Sequence, residues 1–194
     1  MNNTAKYYFN LGVENMLIAG SLAHSGKMDE AHININDAIG CYDKAIEIDP
    51  SKAIFFSAKG FSLKQLGATL EAGEFFEKSI ELDPGFTESY YQLSLCFFEH
   101  SLIQSGRETF EEALALHEDK KELILRFYED LLELINRHLF YINDVIRMGH
   151  KDNILEMTKK VIDVINFTQT FDCADIRLDY LFRQAKVFIH TPVE

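Results

Sequence analysis

The sequence predicts an all-α chain, a solenoid of helical hairpins closed by C-terminal capping helices. Three observations predict it. The phrase YDKAIEIDP at residues 42–50 returns as FEKSIELDP at residues 76–84, which is 34 residues later. Between the two copies, apolar residues recur at helical spacing on either side of a short break at residues 66–69. No strand pattern and no Gly-rich phosphate loop appears.

The middle hairpin states the pattern in full. Phe56, Gly60 and Leu63 lie on its first helix, Ala72, Phe76 and Ser79 on its second, and Pro84 closes it. The next unit supplies Tyr90, Leu93, Ser94, Phe97, Gly106, Phe110 and Ala113 in register, with Glu118 in place of the closing proline. This period and these residue classes resemble the tetratricopeptide repeat, in which small residues let two helices cross closely and large ones fill between them. Lys59 departs from the family pattern, standing where a Leu is usual.

In chain order, the first hairpin departs most. Its second helix fits the family with Ala38, Tyr42, Ala45 and Pro50, and its first with Tyr8, Leu11 and Gly12, yet Ala38 then falls 14 residues late. Fourteen residues is close to four turns at ~3.6 per turn, so an excess of about seven in each helix keeps every apolar side chain on its face. The tip falls in HSGKMD, residues 24–29, where Gly26 breaks the helix and Asp29 sits in the opening turn of the next. A hairpin projecting roughly 10 Å beyond its neighbours is expected. Met16, Leu17, Ile18, Leu22, Met28, Ile33 and Ile35 line it. Two arrangements are open: these side chains pack across the hairpin, or some face outward and form a homodimer with a second copy or meet a partner.

After Glu118 the period is lost. Continuing the register would put Tyr128 at a small position and Asp144 at a large aromatic one, so a fourth repeat is rejected. Residues 121–150 instead read as one long amphipathic helix ending at Gly149. Its Leu123, Phe127, Leu131, Leu134, Ile135 and Ile142 suit it to capping a solenoid end. Glu133 and Arg137 are expected to pair on its solvent side. Two further helices are expected at residues 153–167 and 173–189, the second opened by Asp172 or Asp175 and stopped before Pro192. The expected domains are residues 1–118, three hairpins with the first elongated, and residues 119–194, the capping helices.

Composition excludes several classes of function. At 194 residues and 47% hydrophobic the chain can bury a real core. Nineteen basic against 31 acidic residues give a net charge of -12, which repels phosphate backbones and anionic membranes, so neither nucleic acid nor a membrane is an expected partner. Most of that excess precedes residue 150, since residues 151–194 hold six basic and seven acidic side chains. Cys41, Cys96 and Cys173 sit in apolar helical patterns and read as small buried hydrophobes of a reducing, cytoplasmic compartment. Residues 11–23 resemble a signal segment only superficially, because Glu14 and Asn15 interrupt the apolar run.

No enzyme is read here. The seven histidines form no H-E-x-x-H, and none follows a Glu by three residues, so no metal is expected. Nucleophile signatures such as G-x-S-x-G are missing, and no cofactor is implied. The repeat resemblance implies instead a concave groove lined by the first helices. Its positions here are Ile54, Ser57, Ala58, Phe61, Lys64 and Gln65, then Glu88, Tyr91, Gln92, Leu95, Phe98 and Glu99. Family members that hold the C-terminal carboxylate of heat-shock chaperones use Lys, Asn and Arg at particular groove positions. Ser57, Ala58, Phe61, Glu88 and Gln92 occupy the corresponding sites, so that clamp is absent.

The expected function is accordingly a non-enzymatic protein-protein interaction module, an adaptor or chaperone-like scaffold for an apolar-faced peptide or helix. Secretion chaperones with three such repeats are similar in size and acidity. The alternative is an enzyme or small-ligand sensor with a pocket between the repeats and the C-terminal helices. Whether those helices fold back and fill the groove stays open.

Overall fold

A computed structural model describes residues 3–148, 153–171 and 176–190. The chain is all-α, with nine α-helices, one 3-10 turn and no strand among the described residues. By packing it divides into two units, Met1–Cys96 with Glu108–Leu116, and Phe97–Arg107 with His117–Glu194.

In the first unit α1 (Asn3–His24), α2 (Met28–Ile48), α3 (Ala53–Gln65) and α4 (Thr69–Leu82) each pack on the next in chain order, and α1 also meets α3. That is the contact pattern of stacked hairpins. Residues up to Cys96 of α5 (Thr87–Glu99) and from Glu108 of α6 (Ile103–Leu116) complete it. The crossings depend on glycine. A Cβ on Gly12 would lie 2.5 Å from Tyr42 Cε1, and one on Gly60 would lie 3.0 Å from Phe76 Cε1 and 3.1 Å from the Ala72 carbonyl oxygen. The two glycines are thus equivalent, each admitting the aromatic ring of the following helix.

Between these two crossings the first hairpin takes up its extra length. α1 has 22 residues against 13 in α3, and α2 has 21 against 14 in α4. At ~1.5 Å per residue, nine and seven extra residues lengthen the helices by roughly 10 to 14 Å. Counted from crossing to turn, Gly12 to Gly26 exceeds Gly60 to Gly67 by seven residues and Gly26 to Ala38 exceeds Gly67 to Ala72 by seven, about two turns in each helix, which keeps each face in place. Ala19, Ala31 and Ile35 form a buried seam along the extension, with Met16, Leu22 and Ile39 packed against it. Leu17, Ile18, Met28 and Ile33 stay exposed.

The hairpin turns share one geometry. Gly26 and Gly67 both adopt positive φ, at 77° and 79°. In each, the glycine N–H donates back to a carbonyl three residues earlier, at 3.0 and 2.9 Å. The next N–H donates five residues back, Lys27 to Leu22 and Ala68 to Leu63. These paired bonds satisfy the helix's last carbonyls, and the left-handed residue between them favours glycine. Lys59, the departure from the repeat pattern, also has an explanation. Its Nζ sits 2.5 Å from Asp43 of α2 and 4.3 Å from the Phe75 ring centroid, so the stem packs while the charge is paired. Of the cysteines, Cys96 is buried and Cys41 only half-buried, while Cys173 lies outside the described residues.

The second unit is built on α7 (Lys120–Arg147), a single 28-residue helix. Asp119 caps it, accepting from the Glu122 N–H at 3.0 Å. Leu123, Phe127, Leu131, Leu134, Ile135 and Ile142 are all buried. α8 (Ile154–Thr168) and α9 (Ile176–His190) pack on α7 and on each other. Phe98, Phe127, Phe167 and the Phe171 of a 3-10 turn at Gln169–Phe171 form its aromatic centre, with Phe98 stacked on Phe167 at 4.9 Å. The expected Glu133–Arg137 pair does not form. Arg137 instead places Nη2 at 2.8 and 2.6 Å from the two Glu99 oxygens, so its charge is taken up by Glu99. The third hairpin turn belongs to this unit and repeats the bonds of the other two, Ser101 to Phe98 and Leu102 to Phe97, with Ser101 at φ 61° in the glycine position. Gly149, His150, the Asp172 and Asp175 caps and Pro192 lie outside the described residues. No helix among the described residues is long and apolar enough to cross a membrane.

Candidate functional site

The first unit contains a cleft of about 400 Å³. Val13, Met16 and Leu17 of α1 form one wall, Ile54, Ser57, Ala58 and Phe61 of α3 the centre, and Glu88 and Gln92 of α5 the other wall, with Tyr42 behind. These positions are the successive first helices of the hairpins. Spacing explains why they converge: Ile54, Ser57, Ala58 and Phe61 are i, i+3, i+4 and i+7 on α3, a single helical stripe. Gly60 keeps α3 close to α4, and the stripe lines the cleft.

The apolar part of the lining is accessible. Leu17 is 72% exposed, Ile54 40% and Phe61 39%. The polar wall is internally satisfied. Lys64 Nζ donates to Gln92 Oε1 at 2.8 Å, and Gln92 Nε2 donates to Glu88 Oε1 at 2.7 Å. Gln92 is 3% exposed, so bonding at both ends of its amide removes the cost of burying it. The relay also ties the Lys64 cation to the Glu88 carboxylate, which is the one charged side chain among the described lining residues. Behind the wall, burial pushes the Tyr42 phenol up to about 12, with the neighbouring Cys41 adding to it. Tyr42 is therefore a neutral packing group at the site.

Of the expected groove residues, Ile54, Phe61, Glu88 and Gln92 come together in this cleft, and Lys64 joins them through Gln92. Gln65 is exposed on α3 outside the lining. Tyr91, Leu95 and Phe98 run along α5 as a buried stripe. Tyr91 meets Phe110 of α6 edge-on at 6.5 Å, and Phe98, itself part of the second unit, is enclosed there by Phe127 and Phe167. They present no surface to a ligand. Val13, Met16 and Leu17 were missing from the expectation, although a signal for them existed: subtracting the Gly60 to Gly12 offset from Phe61, Lys64 and Gln65 yields these three positions.

Among the described residues, the cleft's lining holds one carboxylate and no His or Cys. Among the described residues no group of three or more His, Cys, Asp or Glu is placed to hold a metal ion.

Residues 55–86, which span most of the α3–α4 hairpin, match the tetratricopeptide repeat model. Protein STIP1 homolog of Dictyostelium discoideum is 28% identical over 120 residues, 62% of this chain and 20% of that protein. Hsp70-Hsp90 organizing protein 3 of Arabidopsis thaliana is 31% identical over 101 residues, 52% of this chain and 18% of that protein. The chain therefore spans about a fifth of the length of these relatives. Among solved structures, the Arabidopsis OM64 TPR domain superposes with a TM-score of 0.50 at 16% identity, over 66% of this chain and 96% of that one, a likeness of fold.

Proposed function

We propose that this chain, whose α3–α4 hairpin matches the tetratricopeptide repeat, is a non-enzymatic adaptor that holds an apolar-faced peptide or helix of another protein in the cleft of its first unit. The observation that carries this reading is the exposure of Leu17, Ile54 and Phe61 in one concavity of about 400 Å³. Apolar side chains that converge on a concave surface gain from being covered, at roughly 25 cal/mol per Å² removed from water. The organizing-protein relatives make a chaperone-linked adaptor a natural form of this activity. The lining offers mainly apolar side chains, and its carboxylate, Glu88, is already tied through Gln92 to Lys64, so the ligand is defined by its apolar face. A cytoplasmic setting is consistent with the buried and half-buried thiols.

Panning the full chain against a random peptide library tests this. Enriched peptides should carry apolar residues at i and i+3 or i+4, and Phe61→Glu should weaken their binding at least about tenfold, since it buries a charge opposite apolar groups. Phe61 is partly exposed, so helix content by circular dichroism should be unchanged. Enriched peptides without an apolar stripe, or equal binding by Phe61→Glu, would defeat the proposal.

Exposed Met28 and Ile33 near the tip of the first hairpin favour a second contact, pairing with another copy of the chain. Ile35 is buried in the hairpin seam and belongs to the fold. Sedimentation equilibrium of the Met28→Asp, Ile33→Asp variant should show a halved mass. A wild-type chain that sediments as a monomer removes the pairing.

A further inference from the structure

Gln92 stands on the α5 wall of the first cleft but is buried, and both ends of its amide are engaged. The bond it accepts from Lys64 joins residues 28 apart in sequence, running from the last turn of α3 to the middle of α5. The bond it donates to Glu88 stays within α5, four residues apart, and fixes the direction of the amide.

Direction matters because the two ends of an amide differ chemically. Its oxygen accepts and its nitrogen donates, so turning it over would set N–H groups against the Lys64 ammonium and a carbonyl against the Glu88 carboxylate. Both contacts would be repulsive, and burial leaves little water to relieve them. A single orientation remains, and it spans the α3 and α5 sides of the cleft one helical turn from Phe61, since Lys64 is i+3 to that residue.

We propose that Gln92 is a positioning residue of the cleft, whose amide braces α5 against α3 and sets the spacing between the Glu88 wall and the stripe of Ile54 and Phe61 before a ligand arrives. This rests on the reading of the cleft as a peptide site. The ligand covers the apolar stripe, while Gln92 acts on it through the separation of the two helices. Loss of the brace leaves a buried polar group without its partner, a cost that favours an opened wall. If the braced arrangement falls to about a tenth of the molecules, apparent affinity falls about tenfold.

Gln92→Glu is the main probe, because a carboxyl group copies the shape of the amide but donates only when protonated. Ionised, it faces Glu88 with like charge. Protonated, its O–H donates to Glu88 and its carbonyl accepts from Lys64, which is the wild-type pattern. The double variant Glu88→Gln, Gln92→Glu exchanges the two groups at constant net charge, so that the carboxylate accepts both from Lys64 and from the new amide.

Two readouts are compared with wild type at the same pH. One is the Ile54 methyl resonances of the peptide-free chain, and the other is the affinity of a library-selected apolar-striped peptide by fluorescence anisotropy. At neutral pH, Gln92→Glu should show shifted or doubled Ile54 lines and about tenfold weaker binding. At pH about 5 both should return toward wild type, since the like-charged neighbour raises the pH at which the new carboxyl takes up its proton. The exchanged pair should be close to wild type at neutral pH. Lys64→Met, which removes the α3 end of the brace, should show the same loss with no recovery at low pH. Lower melting temperatures with wild-type Ile54 lines and wild-type affinity would make the relay a stabilising contact and overturn the proposal. So would an exchanged pair that folds but binds no better than Gln92→Glu, or a loss in Gln92→Glu that does not change with pH. A wild-type chain that binds no such peptide would remove the adaptor reading, and the Ile54 lines of the variants would still decide whether the brace sets the cleft.

Discussion

Replacing Gly12 by Ala should destabilise the protein although Ala is the better helix former. In an open helix interior the exchange gains about 1 kcal/mol. At Gly12 the new methyl group would sit 2.5 Å from Tyr42 Cε1 and 2.9 Å from Cδ1 and Cζ, about 1 Å inside ordinary contact. The Tyr42 ring is buried and abuts Phe9 at 5.8 Å, so it cannot retreat without moving the α1–α2 crossing. Overpacking of this kind costs typically 1 to 3 kcal/mol, or more where backbone must move. Subtracting the helix gain leaves a net loss of about 0 to 2 kcal/mol, toward the upper end because the ring is fenced by Phe9. Gly20 on the same helix is the control, because nothing lies within 4 Å of a Cβ built there. Gly20→Ala should gain about 1 kcal/mol. In thermal melts followed at 222 nm, a chain of this size shifts by about 2 to 4 °C per kcal/mol, so the two variants should move in opposite directions by several degrees. Adding Tyr42→Leu to Gly12→Ala should recover part of the loss. If Gly12→Ala melts as high as Gly20→Ala, the assignment of Gly12 and Tyr42 as a repeat crossing is wrong.

Two other perturbations read the second unit. Ser101 holds a left-handed turn at φ 61°, and relieving about 1 to 2 kcal/mol of strain, less the freedom glycine adds to the unfolded chain, should make Ser101→Gly more stable by about 0.5 to 1 kcal/mol. Denaturant titration reads this directly, and a lower midpoint would contradict it. His138 is held below its ordinary range by burial, with Arg137 and His100 adding to this and Glu99 opposing it, while Lys160 faces the same small cavity. Its folded pKa is depressed, so the unfolded chain binds the extra proton first. Stability should fall as pH drops below about 6.5, and His138→Gln should flatten that part of the melting profile. A variant with the wild-type slope would show that His138 does not carry it.

The repeats were legible because local chemistry enforces them. The 34-residue spacing brings Tyr42 and Phe76 to the same place, and Gly26 and Gly67 announce their turns through the φ they adopt. The third turn uses the same hydrogen bonds with Ser101, a residue that carries no such announcement. The elongated hairpin was visible as a phase problem, since only an insertion near four turns keeps Gly12 under Tyr42. The cleft was half visible. Its α3 stripe follows from spacing within one helix, while the α1 wall required carrying the Gly12 to Gly60 offset across the insertion. The burial of Phe98 depends on Phe167, 69 residues away, and no periodicity links them. Arg137 illustrates the same limit: local pattern names Glu133, one turn off, but its Nη2 lies on both oxygens of Glu99 instead.

The most direct test of the adaptor reading is to follow methyl resonances while a library-selected apolar-striped peptide is titrated into the labelled protein. Val13, Leu17 and Ile54 should shift together and saturate at one concentration, while Val187 and Leu155 on the second unit stay in place. Shifts confined to the second unit, with the α1 and α3 methyls unmoved at saturation, would contradict the account.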